Sequence, residues 1–329
     1  MLFRSVRKAR WPLQKAETRS DCSAAERDSL HLHGSRSRMP GASKPPRAQR
    51  RKTASPNIAF EENPRAPRKP EWPVTLSYGS YLKLEELLRL QRPLSEPPHH
   101  DEMLFIVIHQ VYELWFKQLL HELDAAAAAL DRDDLLRAAK KFRRIHTIQR
   151  LLEQQVDILE TMTPQEFNQF RDHLNPASGF QSVQFRELEF ACGLRRTDVL
   201  RWIELDDEQR DRLERRRTAP SLYDRLKGLL RRRGFAVDSS EALIETFRQI
   251  YSDEAAHYDL YLLLEDLIEL DERFLLWRGR HVRMVERMIG QKHGTGGSSG
   301  AQYLESTLSH RFFPELWSVR TYLGEGTYA

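Results

Sequence analysis

The sequence has few cysteines and no long uninterrupted apolar stretch. Cys22 and Cys192 are the only cysteines among 329 residues, which excludes a disulfide framework and a cysteine-rich zinc cluster and indicates a reducing compartment. The most apolar stretch, residues 103–130, is interrupted by polar side chains such as His109 and Glu113. It therefore falls short of the roughly 18 apolar residues of a membrane span. These absences predict a cytoplasmic protein with no membrane partner.

Charge is also unevenly distributed along the chain, because the net charge of +4 is the sum of a basic segment and an acidic one. Residues 1–70 hold 17 of the 52 basic residues but only 6 of the 48 acidic ones, so the rest of the chain is net acidic. An acidic remainder argues against nucleic-acid binding. Residues 1–70 are rich in arginine, proline and serine, which predicts a disordered basic extension. A transit peptide, a solvated tail and sequence upstream of a start at Met39 are alternatives for its origin.

Strand patterns are missing too, and from Leu76 onward apolar residues recur at helical spacing. Thr163, Pro164 and Glu166 form a capping box that predicts a helix start, and Asp101 is a candidate cap for another helix. The sequence predicts an all-α fold, with a single helical-bundle-like domain over residues 71–329. The predicted helices cover approximately residues 82–90, 101–130, 135–162, 164–171, 181–192, 197–233 and 241–289.

The stretch GTGGSSG, residues 294–300, has almost no side chains. A phosphate-binding loop needs a preceding strand and a following helix with a GK[ST] or third-glycine pattern, and this loop follows a predicted helix instead. The nucleotide-binding interpretation is therefore disfavoured. A flexible tether and a lid that lies close to a ligand remain as alternatives.

The helix before this loop carries a histidine at the head of an apolar stripe. The stripe follows His281 at helical spacing and consists of Met284, Val285, Met288 and Ile289. The cations that flank it are Arg280, Arg283 and Arg287. A neutral imidazole on an apolar wall with cations at its rim suits an axial haem ligand and the propionates of the porphyrin. A core histidine bonded to a backbone carbonyl is the alternative.

Two further segments contain candidate site residues. Phe105 and His109 are four residues apart and share a helix face, so His109 could line a pocket or belong to the core. Arg171 ends a short helix before a Pro/Gly/Ser loop and could bind a carboxylate in a bidentate manner. A solvated helix-end cation is the alternative for Arg171.

A metal site of another class is also conceivable. Glu254 and His257 have the Glu-x-x-His spacing of helical di-iron carboxylate proteins. Such a site needs two pairs on helices, and the other match, from Glu96 to His99, contains two prolines. The di-iron interpretation is therefore the weaker one.

Taken together, four stretches resemble the tryptophan 2,3-dioxygenase family. They are LSYGSYLKLEELL, HHDEMLFIVIHQVYELWFKQLLHEL, FRDHLNPASGFQS and WRGRHVRMVERMIGQKHGTGGSSG. The likeness extends from about Thr75 to Leu323, and residues 1–70 lie outside it. The resemblance implies a homotetrameric enzyme with ferrous haem b. This enzyme would use O2 to open the indole ring of L-tryptophan, giving N-formylkynurenine, in the first step of the kynurenine pathway.

The resemblance also implies roles for individual residues. His281 matches the proximal ligand of the haem iron, and His109 matches the distal histidine that faces the indole N–H. Arg171 matches the residue that binds the substrate carboxylate, and Thr295 matches one at its ammonium and carboxylate end. The other matches are Phe105 in the apolar wall, Ser178 near the haem and O2, and Tyr78, Tyr81 and Leu82, which in the family reach a neighbouring subunit's site.

This chain departs from the pattern at one position and leaves one functional alternative open. Some members of the family have a tyrosine where Phe167 lies here, and phenylalanine has no hydroxyl for that hydrogen bond to the substrate carboxylate. The alternative function is a haem-binding or haem-sensing helical protein with little turnover. Such a protein would have the same pocket without rapid product formation.

Overall fold

The computed structural model describes residues 76–324, so the expected extension over residues 1–70 lies outside the described residues. No β-strand occurs between residues 76 and 324, and the predicted all-α class is confirmed. None of the helices described is long and apolar enough to cross a membrane. The α-helices are α1 (Tyr78–Leu82), α2 (Leu84–Leu87), α3 (His100–Asp131), α4 (Leu135–Leu159), α5 (Pro164–Phe170), α6 (Val183–Cys192), α7 (Asp207–Thr218), α8 (Leu222–Arg232), α9 (Ser240–Ser252), α10 (Tyr258–Ile289), α11 (Ala301–Ser306) and α12 (Pro314–Ser318).

Helix starts follow local capping chemistry where the sequence offers it. Thr163 caps α5 because its hydroxyl oxygen accepts a hydrogen bond from the Glu166 amide. The Thr163 amide donates in turn to the Glu166 carboxylate, which completes the predicted capping box. Asp101 does not cap α3; it lies in the first turn, and His99 is the N-cap residue. An acidic residue there still faces the positive end of the helix dipole.

Three predicted helices are divided in the structure. The one predicted over 82–90 corresponds to α1 and α2, which meet at Lys83 with a φ of 54°. The helix predicted over 241–289 consists of α9 and α10, separated by a turn at residues 253–257. The region predicted over 197–233 contains a 3-10 helix (Asp198–Trp202) before α7 and α8. Apolar residues continue to recur at helical spacing across these breaks, so this spacing does not indicate where one helix ends and the next begins.

Three long helices form the centre of the domain. Helix α4 packs against both α3 and α10, and α6 and α8 cover α3. The larger of two apolar clusters fills this centre, with fully buried residues such as Phe142, Leu264 and Phe313. The smaller cluster lies where α3, α4, α5 and α10 meet, and it includes Ile108, Phe170, Met284 and Met288. Histidines carried by α3 and α10 border this second cluster.

The C-terminal segment is attached to α10 by one buried carboxylate. Oδ2 of Asp271 accepts hydrogen bonds from the backbone amides of Phe312 and Phe313 at 2.8 and 3.1 Å. It also accepts one from the Trp317 indole N–H at 3.0 Å. Burial raises the pKa of Asp271, and the hydrogen bonds oppose this rise. These bonds hold the segment beside α10, where its residues Tyr303 and Leu304 line a cavity.

Candidate active site

Two adjoining cavities occupy the space between α3, α4, α6 and α10. Both have mostly apolar linings, as small-molecule and cofactor sites do. We call them the inner cavity and the loop-side cavity. Both are lined by His109, Leu159, Gly179, Phe180, His281, Met284, Tyr303 and Leu304. Because the two cavities share both histidines, they form two parts of one site.

His281 lies on α10 in a protected environment. Its ring stacks on that of Trp277 one turn earlier, with centroids 5.5 Å apart and planes 12° from parallel. Burial, with a smaller contribution from His109, lowers the pKa of His281 to about 4, so the imidazole is neutral at pH 7. Among the described residues, none forms a hydrogen bond to either ring nitrogen of His281. The alternative for His281 was a core histidine bonded to a backbone carbonyl, and this hydrogen bond is absent from the described part of the chain.

His109 on α3 has a defined tautomer. Its Nδ1 lies 2.7 Å from the carbonyl oxygen of Phe105. A carbonyl can only accept a hydrogen bond, so Nδ1 carries the proton and Nε2 is left as an acceptor. Burial lowers the pKa of His109, opposed by the bond to Phe105 and by the charge of Glu113. The site therefore contains a second neutral imidazole, with one accepting nitrogen.

An aromatic wall closes one side of the loop-side cavity. The ring of Phe105 lies 4.1 Å from that of His109, 5.8 Å from Phe167 and 5.7 Å from Phe170. The Phe167 and Phe170 rings meet edge to face at 5.4 Å. A flat apolar molecule could contact this wall through its faces and edges.

Residues around the glycine-rich loop supply the cationic and polar groups of the loop-side cavity. Arg171 donates through Nη2 to the carbonyl of His293, and its buried Nε has no hydrogen-bond partner among the described residues. The Thr295 hydroxyl donates to the Ala177 carbonyl at 2.6 Å. Ser178 lines the same cavity and accepts a bond from the Phe180 amide at 3.4 Å. Two candidate substrate-binding residues, Arg171 and Thr295, thus connect the loop region to the segment around residues 171–178 of the same chain.

Two glycines allow the loop to lie this close. A Cβ added to Gly296 would be 2.7 Å from the Cβ of Ser178, a distance that real Cβ atoms do not adopt. Gly300 has a φ of 64°, and an added Cβ would lie 2.5 Å from the Lys292 carbonyl oxygen. The close packing favours a lid over a flexible tether for residues 294–300.

Comparison with known proteins agrees with this geometry. Residues 66–247 and 232–323 match the Tryptophan 2,3-dioxygenase family. This chain belongs to that family. It is 50% identical over 253 residues to Tryptophan 2,3-dioxygenase of Nocardioides sp., covering 75% of this chain and 95% of the relative. The protein of the same name from Herpetosiphon aurantiacus is 49% identical over 255 residues, covering 74% and 97%. The one from Arthrobacter sp. is 45% identical over 263 residues, covering 76% and 93%.

Three residues matched to the family's sites lie away from the cavities of this single chain. Tyr78, Tyr81 and Leu82 have exposed fractions of 76%, 71% and 40%. None of the three lines the inner or the loop-side cavity. In this single chain they are therefore available to contact another molecule.

The cations expected at the rim already have partners. Arg280 pairs with Asp157 at 2.6 Å and with Glu160 at 3.3 Å. Arg283 pairs with Glu286 and Arg287 with Glu160. All three side chains are at least partly exposed, and none lines either cavity. The cavity instead has two arginines that sequence reasoning missed, Arg186 on α6 and Arg278 on α10. Only the Arg-x-x-Glu spacing from Arg186 to Glu189 hinted at this pairing.

The di-iron alternative has no support in the described part of the chain. Glu254 is exposed and lies in the turn before α10, and His257 is the residue that precedes this helix. The pair therefore does not share a helix. Across residues 76–324, no group of three or more His, Cys, Asp or Glu side chains is placed to hold a metal ion.

Proposed function

We propose that this chain is a haem-dependent dioxygenase that opens the indole ring of L-tryptophan with O2 to give N-formylkynurenine. The reaction is the first step of tryptophan catabolism through the kynurenine pathway. The observation that carries the proposal is a single site with two neutral histidines at its centre and Arg171 and Thr295 at one end. Family membership supplies the reaction, and the site has a chemical group for each part of the substrate.

The residues present fit haem b. The inner cavity has apolar and aromatic walls from residues such as Phe116, Val156, Phe185 and Trp277, as a porphyrin requires. His281 has a neutral ring with no competing hydrogen bond, so it would hold the iron through a ring nitrogen. Haem in the ferrous state supplies the binding and activation of O2 when bound. The remaining task of the protein is to place the substrate and exclude water.

His109 would orient the indole ring. Because its Nδ1 proton is held by the Phe105 carbonyl, Nε2 can accept the indole N–H. Opening of the C2–C3 bond requires little early proton removal, so His109 is an orienting partner and not an obligatory base. Its lowered pKa keeps Nε2 unprotonated at pH 7. Correct placement matters because an error of about 1 Å can cost roughly 100-fold in rate.

Arg171 and Thr295 would bind the zwitterionic end of tryptophan. The guanidinium suits the carboxylate, and the threonine hydroxyl can meet the ammonium and carboxylate groups. Both groups now bond backbone carbonyls of His293 and Ala177, so substrate would compete with these internal bonds. Phe105 would form the apolar wall and Ser178 would lie near the haem and O2. Phe167 cannot donate the additional hydrogen bond of a tyrosine, which changes one contact and not the reaction.

A homotetramer in the cytoplasm completes the proposal. Tyr78, Tyr81 and Leu82 are exposed at the start of the described chain, where they could reach the site of a neighbouring subunit. Burial of such large apolar side chains in a subunit interface would be favourable. The two cysteines suit a reducing cytoplasm.

One assay separates this enzyme from a haem-binding protein with little turnover. Purified protein is reconstituted with haem, reduced, and mixed with L-tryptophan and O2, and the absorbance of N-formylkynurenine is followed. The dioxygenase gives steady product formation, whereas the sensor gives a Soret band without product. A wild-type protein that shows no Soret band after growth with added haem contradicts both functions.

The iron ligand is tested with His281→Ala. We expect loss of the Soret band and of all haem-dependent activity, because no other described histidine besides His109 lines the cavities. His121→Ala, at an exposed position of α3, is the control and should leave both unchanged. Full activity of His281→Ala would show that the ligand assignment is wrong.

A further inference from the structure

A buried charged cluster lies on the wall of the inner cavity, on α6 and α10. Arg186, Glu189 and Arg278 have exposed fractions of only 9%, 5% and 4%. Oε2 of Glu189 pairs with Nη1 of Arg186 at 2.7 Å, and Oε1 pairs with Nη2 of Arg278 at 3.1 Å. One carboxylate therefore serves two guanidinium groups in a poorly solvated place.

The charge of the buried Asp271 carboxylate acts on Arg278, while its Oδ2 accepts hydrogen bonds from the C-terminal segment. Arg196 pairs with Asp198, so this pair adds no net charge. Burial, together with the charges of Arg196 and Arg278, lowers the pKa of His310 to about 4, so His310 is neutral at pH 7. Within residues 76–324, the carboxylate that pairs with Arg186 is shared with Arg278, and the buried Nε of Arg186 has no hydrogen-bond partner. An anion in the cavity would satisfy the remaining donors of Arg186.

The other carboxylate on this wall is engaged elsewhere. Glu113 accepts a hydrogen bond from the Gln184 side-chain amide at 2.8 Å. In the described part of the protein it forms no ion pair with Arg186 or Arg278; their pairing partner is Glu189. Arg186, Arg278 and Glu189 therefore form a cluster of their own at the end of the cavity formed by α6 and α10.

The two arginines differ in how many of their guanidinium nitrogens already have hydrogen-bond partners. Arg278 also donates through Nη1 to the His310 carbonyl at 2.9 Å, so both terminal nitrogens have partners. Arg186 pairs through Nη1, and its Nε has no hydrogen-bond partner among the described residues. The guanidinium lies 4.9 Å from the centroid of the Phe185 ring, which limits its orientations. Arg186 is thus the arginine with hydrogen-bonding capacity left for a ligand.

We propose that Arg186, oriented by Glu189 and backed by Arg278, binds a propionate carboxylate of the haem in the inner cavity. This inference rests on the proposed haem function and adds the residue that holds the anionic edge of the cofactor. The rim arginines Arg280, Arg283 and Arg287 are already paired with carboxylates. Arg171 serves the loop-side cavity and does not line the inner one. Arginine and carboxylate form strong, directional hydrogen bonds, so this contact would also set the in-plane orientation of the porphyrin.

The test measures haem binding by Soret titration of haem-free protein, with haem and with haem dimethyl ester. We expect Arg186→Met to weaken haem binding by about 10- to 100-fold, the loss typical of a hydrogen bond to a charged group. Arg186→Lys, which retains a cation, should recover part of this loss. The ester has no carboxylates, so wild type and Arg186→Met should bind it with equal affinity.

Two controls keep the outcome specific. Arg280→Met removes a partly exposed cation near the site that is paired with Asp157, and it should leave the haem affinity within about twofold. Circular dichroism of each haem-free variant shows whether the helical fold is retained; if Arg186→Met is unfolded, the comparison rests on Arg186→Lys and on the ester.

The possible results distinguish this inference from the proposed function. Equal haem affinity of folded Arg186→Met and wild type overturns the propionate contact, while a normal wild-type Soret band leaves the haem function intact. Equal wild-type affinity for haem and its dimethyl ester also overturns it, because the propionates then contribute nothing. No Soret band in wild type contradicts the proposed function itself.

Discussion

At the scale of single residues, the site is defined by which hydrogen bonds its polar groups have already made. His109 donates its ring proton to the Phe105 carbonyl and retains an acceptor, whereas the ring nitrogens of His281 form no hydrogen bond to the described residues. Arg171 and Thr295 donate to backbone carbonyls, which the substrate would replace under the proposed function. These differences assign different tasks to residues that look alike in the sequence.

The orienting role of His109 predicts a substrate-dependent effect. His109→Ala should lower kcat/KM for L-tryptophan by about 2- to 10-fold, the range for one neutral hydrogen bond. With 1-methyltryptophan, which has no indole N–H, wild type and variant should differ little. Steady-state kinetics with both substrates provides the measurement, and an unchanged rate with tryptophan would remove the proposed role.

The carboxylate-binding role of Arg171 predicts a loss expressed mainly in KM. Arg171→Ala should cost roughly 2 to 5 kcal/mol in kcat/KM, as expected when one partner of a charged pair is removed. Tryptamine lacks the carboxylate, so with this amine the variant should not be worse than wild type. If Arg171→Ala retains the wild-type apparent affinity for tryptophan, the carboxylate assignment fails.

At the scale of elements, the site depends on a loop and two short segments held against each other. Residues 294–300 pack on the chain around Ser178, because Gly296 has no side chain to prevent contact. The C-terminal segment is held beside α10 through Asp271. A change in either contact should therefore alter the cavity without changing the central helices.

Gly296→Ala tests the loop. Its Cβ would meet that of Ser178 at 2.7 Å, so the loop must move outward and Thr295 must move with it. We expect a raised KM for tryptophan, an unchanged Soret band and faster proteolysis at residues 292–300. Gly279→Ala on α10 is the matched control, because its added Cβ meets nothing within 4 Å. Wild-type kinetics for Gly296→Ala would show that loop closure does not place Thr295.

At the scale of the whole molecule, one chain supplies the histidines, the aromatic wall and the residues proposed to bind the zwitterionic end of tryptophan. Tyr78, Tyr81 and Leu82 remain outside this set and are exposed. The proposed tetramer gives them a purpose, since each could complete the cavity of a neighbour. The size and apolar character of these side chains make solvent exposure unfavourable in the isolated chain.

Complementation tests this arrangement. A variant with Tyr78, Tyr81 and Leu82 changed to Ala keeps its own haem site, and His281→Ala keeps the exposed segment. We expect each variant alone to have low activity and co-expression to restore part of it, measured as N-formylkynurenine formation per haem. Sedimentation of the purified proteins checks that mixed assemblies form. If assembly occurs without any recovery, the segment does not act on a neighbouring site.

The sequence by itself determined the helical class, the capping box at Thr163, and the positions of His281 and the glycine-rich loop. These features follow from local spacing and local capping, which act within a few residues. Membership of the tryptophan 2,3-dioxygenase family also follows from the sequence alone, because the match depends on the order of residues along the chain.

Only the tertiary structure decided how the charges are used. Arg280, Arg283 and Arg287 flank His281 in sequence, yet carboxylates at the C-terminal end of α4 and on α10 pair with them at the surface. Arg186 and Arg278 meet at Glu189 inside the cavity, although Glu189 and Arg278 are 89 residues apart in the chain. Pairing of buried charges depends on which helices come together, because the interaction decays with distance in space and not along the chain.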